Sequence, residues 1–269
     1  MSSLNNIRIG CIGAGNMGSA ILTCLAKNIK KENTFCFDID KSKLESLKSG
    51  INIQVCGSAN DLAINSDVII LAVKPDMVRP VLLEIKNNVS TKLLISIAAG
   101  ISISFLNEII HAPKNIIRVM PNTPSLIGEG MSVISAENTI DEKWLNIAEE
   151  IFSFLGKVIV LPEKMMDAVT AVSGSGPAYG FTLIQAMIDG GVKMGIPRDK
   201  ATILAAQTIL GAARMVLESK EDPIALRGKV TSPGGTTIEA VHILERAGFS
   251  GIIMDAIEAA KIKSEKLGK

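Results

Sequence analysis

From Ile7 to about Pro162 the apolar positions cluster in short unbroken runs instead of alternating with polar ones. IRIGCIG, TFCFDI, DVIILAV and KLLISIAA (residues 7–13, 34–39, 67–73 and 92–99) each have the length of a strand and offer no polar face. A strand buried on both sides has that pattern, and such strands belong to parallel sheets. Between them SAILTCLAKNI and KSKLESLKSG (19–29 and 41–50) carry the spacing of helices. Strand–helix alternation predicts a doubly wound α/β sheet of the Rossmann type. NIIRVMP and KVIVLP (115–121 and 157–162) extend it. After Pro162 the pattern becomes helical: residues 165–195, then 198–219, then 236–248, then a last helix from Ser250. The expected division is a Rossmann-type domain over 1–162 and an all-α domain over 163–269.

Composition changes this picture in one place. The helical half is rich in Ala, Gly, Met and Ile and poor in aromatic rings, so its apolar faces need a covering surface, and a second copy of the chain is the expected one. Lys and Arg number 28 against 27 Asp and Glu, a balance that gives no broad basic surface for nucleic acid. No segment reads as a bilayer span, and MSSLNNIRIGCIG lacks the layout of a signal peptide, so a cytoplasmic protein without a membrane partner is expected. Cys11, Cys24, Cys36 and Cys56 sit on apolar stretches and read as free buried thiols of a reducing compartment. With His111 and His242 as the only histidines, a metal centre is not expected, and both read as structural.

Candidate chemistry begins at IGAGNMG, residues 12–18. Gly13, Gly15 and Gly18 stand in G-x-G-x-x-G spacing after a strand and before a helix. The spacing supplies a tight turn, a close backbone approach to a pyrophosphate and close helix–strand packing. Ile12, Ala14, Asn16 and Met17 complete the loop, and the helix N-terminus favours the phosphates. Asp38, at the end of the second strand, is placed to accept from the adenosine ribose hydroxyls and to repel a 2′-phosphate, which leans towards NADH; Asp40 suits a helix cap better. Ala72-Val73-Lys74-Pro75 and Ala98-Ala99-Gly100 lie at strand ends where such folds bind ligands. Asn60 and Asn122 are further cofactor candidates, each with a local cap or turn as the alternative.

The stretch VTSPGGTTIEAV, residues 230–241, gathers Ser232, Thr236 and Thr237 around Pro233, Gly234 and Gly235 at a helix start. With IGAGNMG, LAVKP, SIAAGI, VMPNTP, DAVTAVSGSGPAY and DGGVKMG, it makes the chain resemble pyrroline-5-carboxylate reductases nearly end to end. The resemblance implies reduction of L-1-pyrroline-5-carboxylate to L-proline with NAD(P)H, the last step of proline biosynthesis. It implies a helical domain that intertwines with its twin in a homodimer, with a larger ring of dimers left open. It implies that Ser232, Gly234, Gly235, Thr236 and Thr237 hold the substrate carboxylate, that Thr237 lies near the ring nitrogen, and that Glu163 lies beside the substrate. The amides at this helix start fit an anion without an arginine. No His, Lys or Tyr declares itself as a proton donor. Lys229 and Ile39 depart from the family pattern: Lys229 either approaches the anionic groups or faces solvent, and Ile39 stands where a basic residue is frequent. Ser173-Gly174-Ser175-Gly176 reads as a kink allowing close packing. The alternatives are other reductases on the same front end, among them deazaflavin-dependent NADP oxidoreductases and β-hydroxyacid dehydrogenases, which would not need SPGGTT, and a non-catalytic dinucleotide sensor. Loss of the signature hydroxyls would favour the sensor, whereas Ser232, Thr236 and Thr237 are all present.

Overall fold

The computed structural model describes residues 3–51, 53–110 and 115–267; His111 lies outside them. The chain alternates β1 (Ile9–Ile12), α1 (Asn16–Asn28), β2 (Thr34–Phe37), α2 (Lys41–Gly50), β3 (Gln54–Val55), α3 (Ala59–Asn65), β4 (Val68–Leu71), α4 (Pro75–Ile85), β5 (Leu93–Ser96) and α5 (Ile103–Ile110). There follow β6 (Ile116–Met120), β7 (Gly130–Ala136), α6 (Glu142–Ser153) and β8 (Gly156–Val160). These strands form one sheet in the order 3-2-1-4-5-6-7-8. Strands β1, β4 and β5 are buried at every position, which is why their sequences are unbroken apolar runs. Two cores result, one on each face. On the first, α1, α2 and α6 pack through Leu22, Leu44 and Phe152. On the second, α3, α4 and α5 pack through Leu62, Leu82 and Leu106. The doubly wound α/β sheet is therefore present.

Two strands escape the apolar-run criterion. β3 is a two-residue edge strand with both residues exposed. β7 is interrupted by Ser132 and Ser135, both buried, and runs antiparallel to β6. Gly130 and Gly156 bring β7 and β8 together: a Cβ on Gly156, at φ +140°, would lie 2.1 Å from the Gly130 carbonyl oxygen.

The chain then continues through α7 (Met166–Val169), a π-helical turn over Thr170–Gly174, α8 (Gly176–Lys193), α9 (Arg198–Ser219), α10 (Pro223–Lys229), α11 (Thr236–Arg246) and α12 (Phe249–Leu267). The two compact units divide at Gly176, later than Pro162, and the end of α12 from Ala259 belongs with the sheet. The reason is packing. Met166 and Val169 share a small core with Val133 of β7, and the Ser264 hydroxyl donates to Asp167 Oδ1 at 2.6 Å. The π-turn accommodates the SGSG run, where Gly174 meets the Met120 side chain so closely that a Cβ would lie 2.6 Å from its Cε.

The cysteines are free, as expected: Cys11, Cys36 and Cys56 are buried and Cys24 is half-buried. Burial pushes the Cys36 thiol up to about 12 and Cys56 to about 11, so neither offers a thiolate at neutral pH.

The second unit, Gly176–Glu258, has a thin core in which Ile188 of α8 meets Ala201 and Ala205 of α9. Phe181, Ile203, Leu204, Met215, Ile224 and Met254 stay largely exposed, as does His242. Contrary to the sequence expectation, one helix among the described residues, α9, is long and apolar enough to cross a membrane by length and composition, with 22 residues and a mean hydropathy of 1.2 over its most apolar stretch. Only 11% of its most apolar stretch is buried within the chain. Its ends carry Arg198, Asp199, Lys200, Arg214 and Glu218. An apolar helical surface this large is stabilised by association, so the protein should be dimeric or larger at micromolar concentration. Static light scattering tests this; a folded monomer there overturns it.

Candidate functional site

The sheet order reverses between β1 and β4, and the loops after β2, β1, β4 and β5 therefore share one edge. This is the crevice where open α/β sheets bind ligands. After Ile12, Gly13 turns at φ +105°, and a Cβ there would lie 2.4 Å from the Ala72 carbonyl oxygen. Gly18 is equally constrained, since a Cβ would fall 2.0 Å from the Gly13 carbonyl oxygen. Gly15 is different. It is the N-cap of α1 at φ −70°, no side chain caps the helix, and a Cβ would meet nothing within 4 Å. The loop therefore closes tightly on itself at Gly13 and Gly18 and stays open at Gly15, Asn16 and Met17, in front of the helix N-terminus. That is the shape a pyrophosphate requires.

Asp38 is already engaged by the protein. Its Oδ2 accepts from the Ala14 amide at 2.6 Å and its Oδ1 from the Asp40 amide at 2.8 Å. It thus ties the end of β2 to the glycine loop. Asp40 caps α2 through the Ser42 amide, as its position suggested; the hydrogen bond from the Ser42 hydroxyl, with the amide adding to it, holds its carboxyl below the usual range. A depression of about 580 Å³ beside β2 is lined by Asp38, Ile39, Lys41, Lys48, Val55 and Gly57. Ile39 is 79% exposed at its rim.

Of the other loops, Ala72 and Val73 are half-buried and lead into α4, whose N-cap is Lys74 and whose first residue is Pro75. Ala98 is buried, Ala99 half-buried, and Gly100 takes φ +77° to turn the chain towards α5. The two asparagines have internal partners. Asn60 Oδ1 accepts from Asn88 Nδ2 at 2.7 Å. Asn122 Oδ1 accepts from the Met131 amide at 2.9 Å, while its Nδ2 donates to the Ser173 carbonyl at 3.2 Å. Asn122 thereby latches the loop after β6 to β7 and to the π-helical turn.

In the helical unit, SPGGTT forms a tight turn: the Gly235 amide donates to the Ser232 carbonyl at 3.0 Å, with Pro233 second and Gly234 third at φ +66°. That is the signature of a type II turn. Gly235 is the N-cap of α11 and no side chain caps the helix. A Cβ on Gly235 would lie 2.3 Å from the Ser232 hydroxyl. Thr236 and Thr237 occupy the first two helical positions, so neither is the cap. Thr237 is half-buried, while Ser232 and Thr236 are exposed. Lys229 spends its charge locally, with Nζ 2.8 and 2.6 Å from the two Glu221 carboxylate oxygens.

Glu163 lies in the sheet unit. Its Oε1 accepts from the Ile103 amide at 2.7 Å and from Arg118 Nη1 at 3.4 Å. The structure thus brings the glycine loop, Asp38 and the two strand-end loops together, and gathers Ser232 to Thr237 separately in the helical unit. Arg118, 5% exposed, is a residue that sequence reasoning passed over. Its signal was a lone charge inside the apolar run NIIRVMP.

Comparison with known proteins bears on both units. Residues 163–267 match the family model for pyrroline-5-carboxylate reductase dimerisation, and residues 8–100 match that for coenzyme F420-dependent NADP oxidoreductase. The pyrroline-5-carboxylate reductase of Methanosarcina acetivorans is 42% identical over 269 residues, covering 99% of this chain and all of that protein. The corresponding protein of Synechocystis is 41% identical, covering 98% of this chain and 99% of that protein. The crystal structure of Plasmodium falciparum pyrroline carboxylate reductase with NADP bound superposes with a TM-score of 0.89 at 38% identity, covering 98% of this chain and 99% of that one.

The contrast between the glycines yields a direct test. Gly13→Ala forces a side chain into positive φ and against the Ala72 carbonyl, and should cost ~1–3 kcal/mol of stability. Gly15→Ala meets no protein atom, so it should leave the melting temperature nearly unchanged while weakening dinucleotide binding at least ~10-fold. Calorimetry and cofactor fluorescence measure the two effects. Unchanged binding in Gly15→Ala would show that the open face of the loop holds no phosphate.

Proposed function

The chain belongs to the pyrroline-5-carboxylate reductase family, and from that premise we infer that it reduces L-1-pyrroline-5-carboxylate to L-proline with NAD(P)H. The carrying observation is that two helices of this chain, α1 and α11, start at a glycine with no side chain capping them. One is an open glycine cradle at α1, and the other an uncapped, hydroxyl-rich first turn at α11. The dinucleotide suits the first. The substrate, a small cyclic imine with one carboxylate, suits the second, where the amides of Thr236 and Thr237 and the Ser232 hydroxyl supply donors without a cationic side chain.

The residues have separate tasks in this reading. The nicotinamide cofactor supplies a hydride to the imine carbon, which is most electrophilic when its nitrogen is protonated. The chain contributes alignment and the exclusion of water. The turn over Ser232–Gly235 holds the carboxylate, and the Thr237 hydroxyl lies near the ring nitrogen, donating to it while it is neutral and accepting from its N–H once it is protonated. Gly13 to Gly18 hold the pyrophosphate, and Ala72 to Pro75 and Ala98 to Gly100 offer small side chains and backbone to the rest of the dinucleotide. Asn60, bonded to Asn88, and Asn122, bonded to Met131, are the further candidates for contact with the dinucleotide. We take the homodimer as the working assembly, since the matched model for residues 163–267 is that of dimerisation; sedimentation separates it from a ring of dimers. The four free cysteines suit a cytoplasmic setting.

The cofactor preference follows from Asp38. Its carboxylate, fixed by two amides at the end of β2, opposes a 2′-phosphate and favours NADH. Purified protein should oxidise a reduced nicotinamide cofactor only when pyrroline-5-carboxylate is added, and should form proline. NADH should serve better than NADPH, and Asp38→Ser, which keeps one acceptor, should raise the NADPH:NADH ratio. No turnover with either cofactor by folded protein would sink the reaction; an unchanged ratio would remove the role of Asp38.

Thr237→Val removes one donor and leaves the N-cap, Gly235, in place. A hydrogen bond to a charged group is worth ~1.5–3 kcal/mol, so kcat/KM should fall roughly 10- to 150-fold. Cofactor affinity should barely move, because the dinucleotide is assigned to the other unit. Equal losses in cofactor binding and turnover, or no kinetic loss, would reduce SPGGTT to a turn.

A further inference from the structure

Ser96, Arg118 and Ser135 occupy directly opposed positions on β5, β6 and β7. Opposed residues share a face of the sheet. Ile116 and Leu94, two positions before Arg118 and Ser96, belong to the core on the α5 side, so the three polar side chains lie on that side. All three residues are buried. This is a polar row at the C-terminal end of an otherwise apolar face, and each end of one loop is fastened to it. The Ser96 hydroxyl accepts from the Ala98 amide at 3.4 Å, where the loop leaves β5. Glu163 accepts from the Ile103 amide at 2.7 Å, where the same loop enters α5. Arg118 Nη1 donates to the same Glu163 oxygen. The segment between, Ala98–Ser102, includes the turn that Gly100 makes at positive φ.

We propose that Arg118 is a positioning residue for the reduction: through Glu163 it fixes the segment from Ala98 to Ile103, against which the nicotinamide is held. The inference rests on the reductase reading above. A guanidinium placed 5% exposed in a sheet loses its hydration, and the structure compensates it through a carboxylate that in turn holds an amide of the loop. Glu163 is therefore occupied at Oε1 by the protein itself, and its part in the reaction is to carry the hold of Arg118 to the loop. The guanidinium also supplies a fixed fork that an ammonium lacks. A loop displaced by about 1 Å near a hydride-transfer site costs on the order of 100-fold in rate.

The test compares Arg118→Met, Arg118→Lys, Glu163→Gln, Glu163→Ala and Ser96→Ala in the full-length protein. The readouts are melting temperature, NAD(P)H dissociation constant by fluorescence, kcat and KM for pyrroline-5-carboxylate, and the isotope effect with cofactor deuterated at the transferred position. In Arg118→Met we expect kcat to fall about 10- to 100-fold, in line with that sensitivity. The isotope effect should rise, cofactor affinity should weaken about 3- to 10-fold and KM for the imine should stay within about 3-fold. Arg118→Lys should fall between wild type and Arg118→Met. Glu163→Gln, which keeps an acceptor for Ile103, should retain more activity than Glu163→Ala. Ser96→Ala should repeat the pattern weakly, and it decides the matter if the arginine variants do not fold. A lower melting temperature with wild-type kcat, isotope effect and cofactor affinity would overturn the proposal and make the row structural. So would a change confined to KM for the imine in the Glu163 variants, since Glu163 would then contact substrate. If wild-type protein binds NAD(P)H but does not reduce the imine, the reductase reading fails on its own. Cofactor affinity in Arg118→Met still judges the loop.

Discussion

A helix N-terminus attracts anions only while its first amides are left without partners, and the chemistry inferred for this chain depends on two such starts. Helices α2, α3, α6 and α10 are capped by the side chains of Asp40, Ser58, Asp141 and Asp222. Helices α1 and α11 begin instead at Gly15 and Gly235, which offer no side chain to the amides that follow. Each forgoes only a few tenths of a kcal/mol of capping and keeps a positive pole available to a ligand. Binding restores what the fold gave up, and one charged group at each pole suits a dinucleotide pyrophosphate and a monocarboxylate imine.

The same reliance on small residues governs the helical unit. Ala and Gly let α8 and α9 approach closely, at Ala201 and Ala205 for example, but such residues bury little area each. What remains exposed, from Phe181 to Met254, is more apolar surface than a lone soluble unit usually carries. Stability and assembly are coupled there, and α9 shows the consequence. Read by hydropathy alone it passes for a membrane span, although residues 163–267 match a dimerisation model.

Where a physical cause acts locally along the chain, the sequence announces it. Two-sided burial makes unbroken apolar runs, so β1, β4 and β5 were legible, and the glycine loop was legible because its constraints fall within seven residues. The boundaries of α9 follow from Gly195 and Pro197 and coincide with the expected 198–219. Elements stabilised by distant partners were not legible. β7 carries the buried Ser132 and Ser135, which break its apolar run, and β3 is too short to show a period. Helix α10 is seven residues between an Asp cap and a loop. The stretch after Pro162 reads as helix, which it is, but nothing local says that Met166 and Val169 belong to a sheet core.

The polar candidates show the same divide in a more instructive form. Asp38 and Asn122 were read as cofactor candidates from their places after strands, and Glu163 as a substrate neighbour from the family resemblance. Each also holds the protein: Asp38 grips Ala14, Asn122 bridges Met131 and Ser173, and Glu163 joins Ile103 to Arg118. Asp38 and Glu163 thereby hold the glycine loop and the far end of the loop after β5, whose backbone is assigned to the dinucleotide, while Asn122 holds the loop after β6 to β7 and the π-helical turn. In a hydride transfer the reactive chemistry resides in the cofactor, so the protein contributes mainly the accuracy with which donor and acceptor are aligned. A site with few acid–base residues but firmly fastened loops is the arrangement such a reaction favours. Its polar side chains then act by removing freedom from the backbone, and conservative changes among them should alter rate more than affinity.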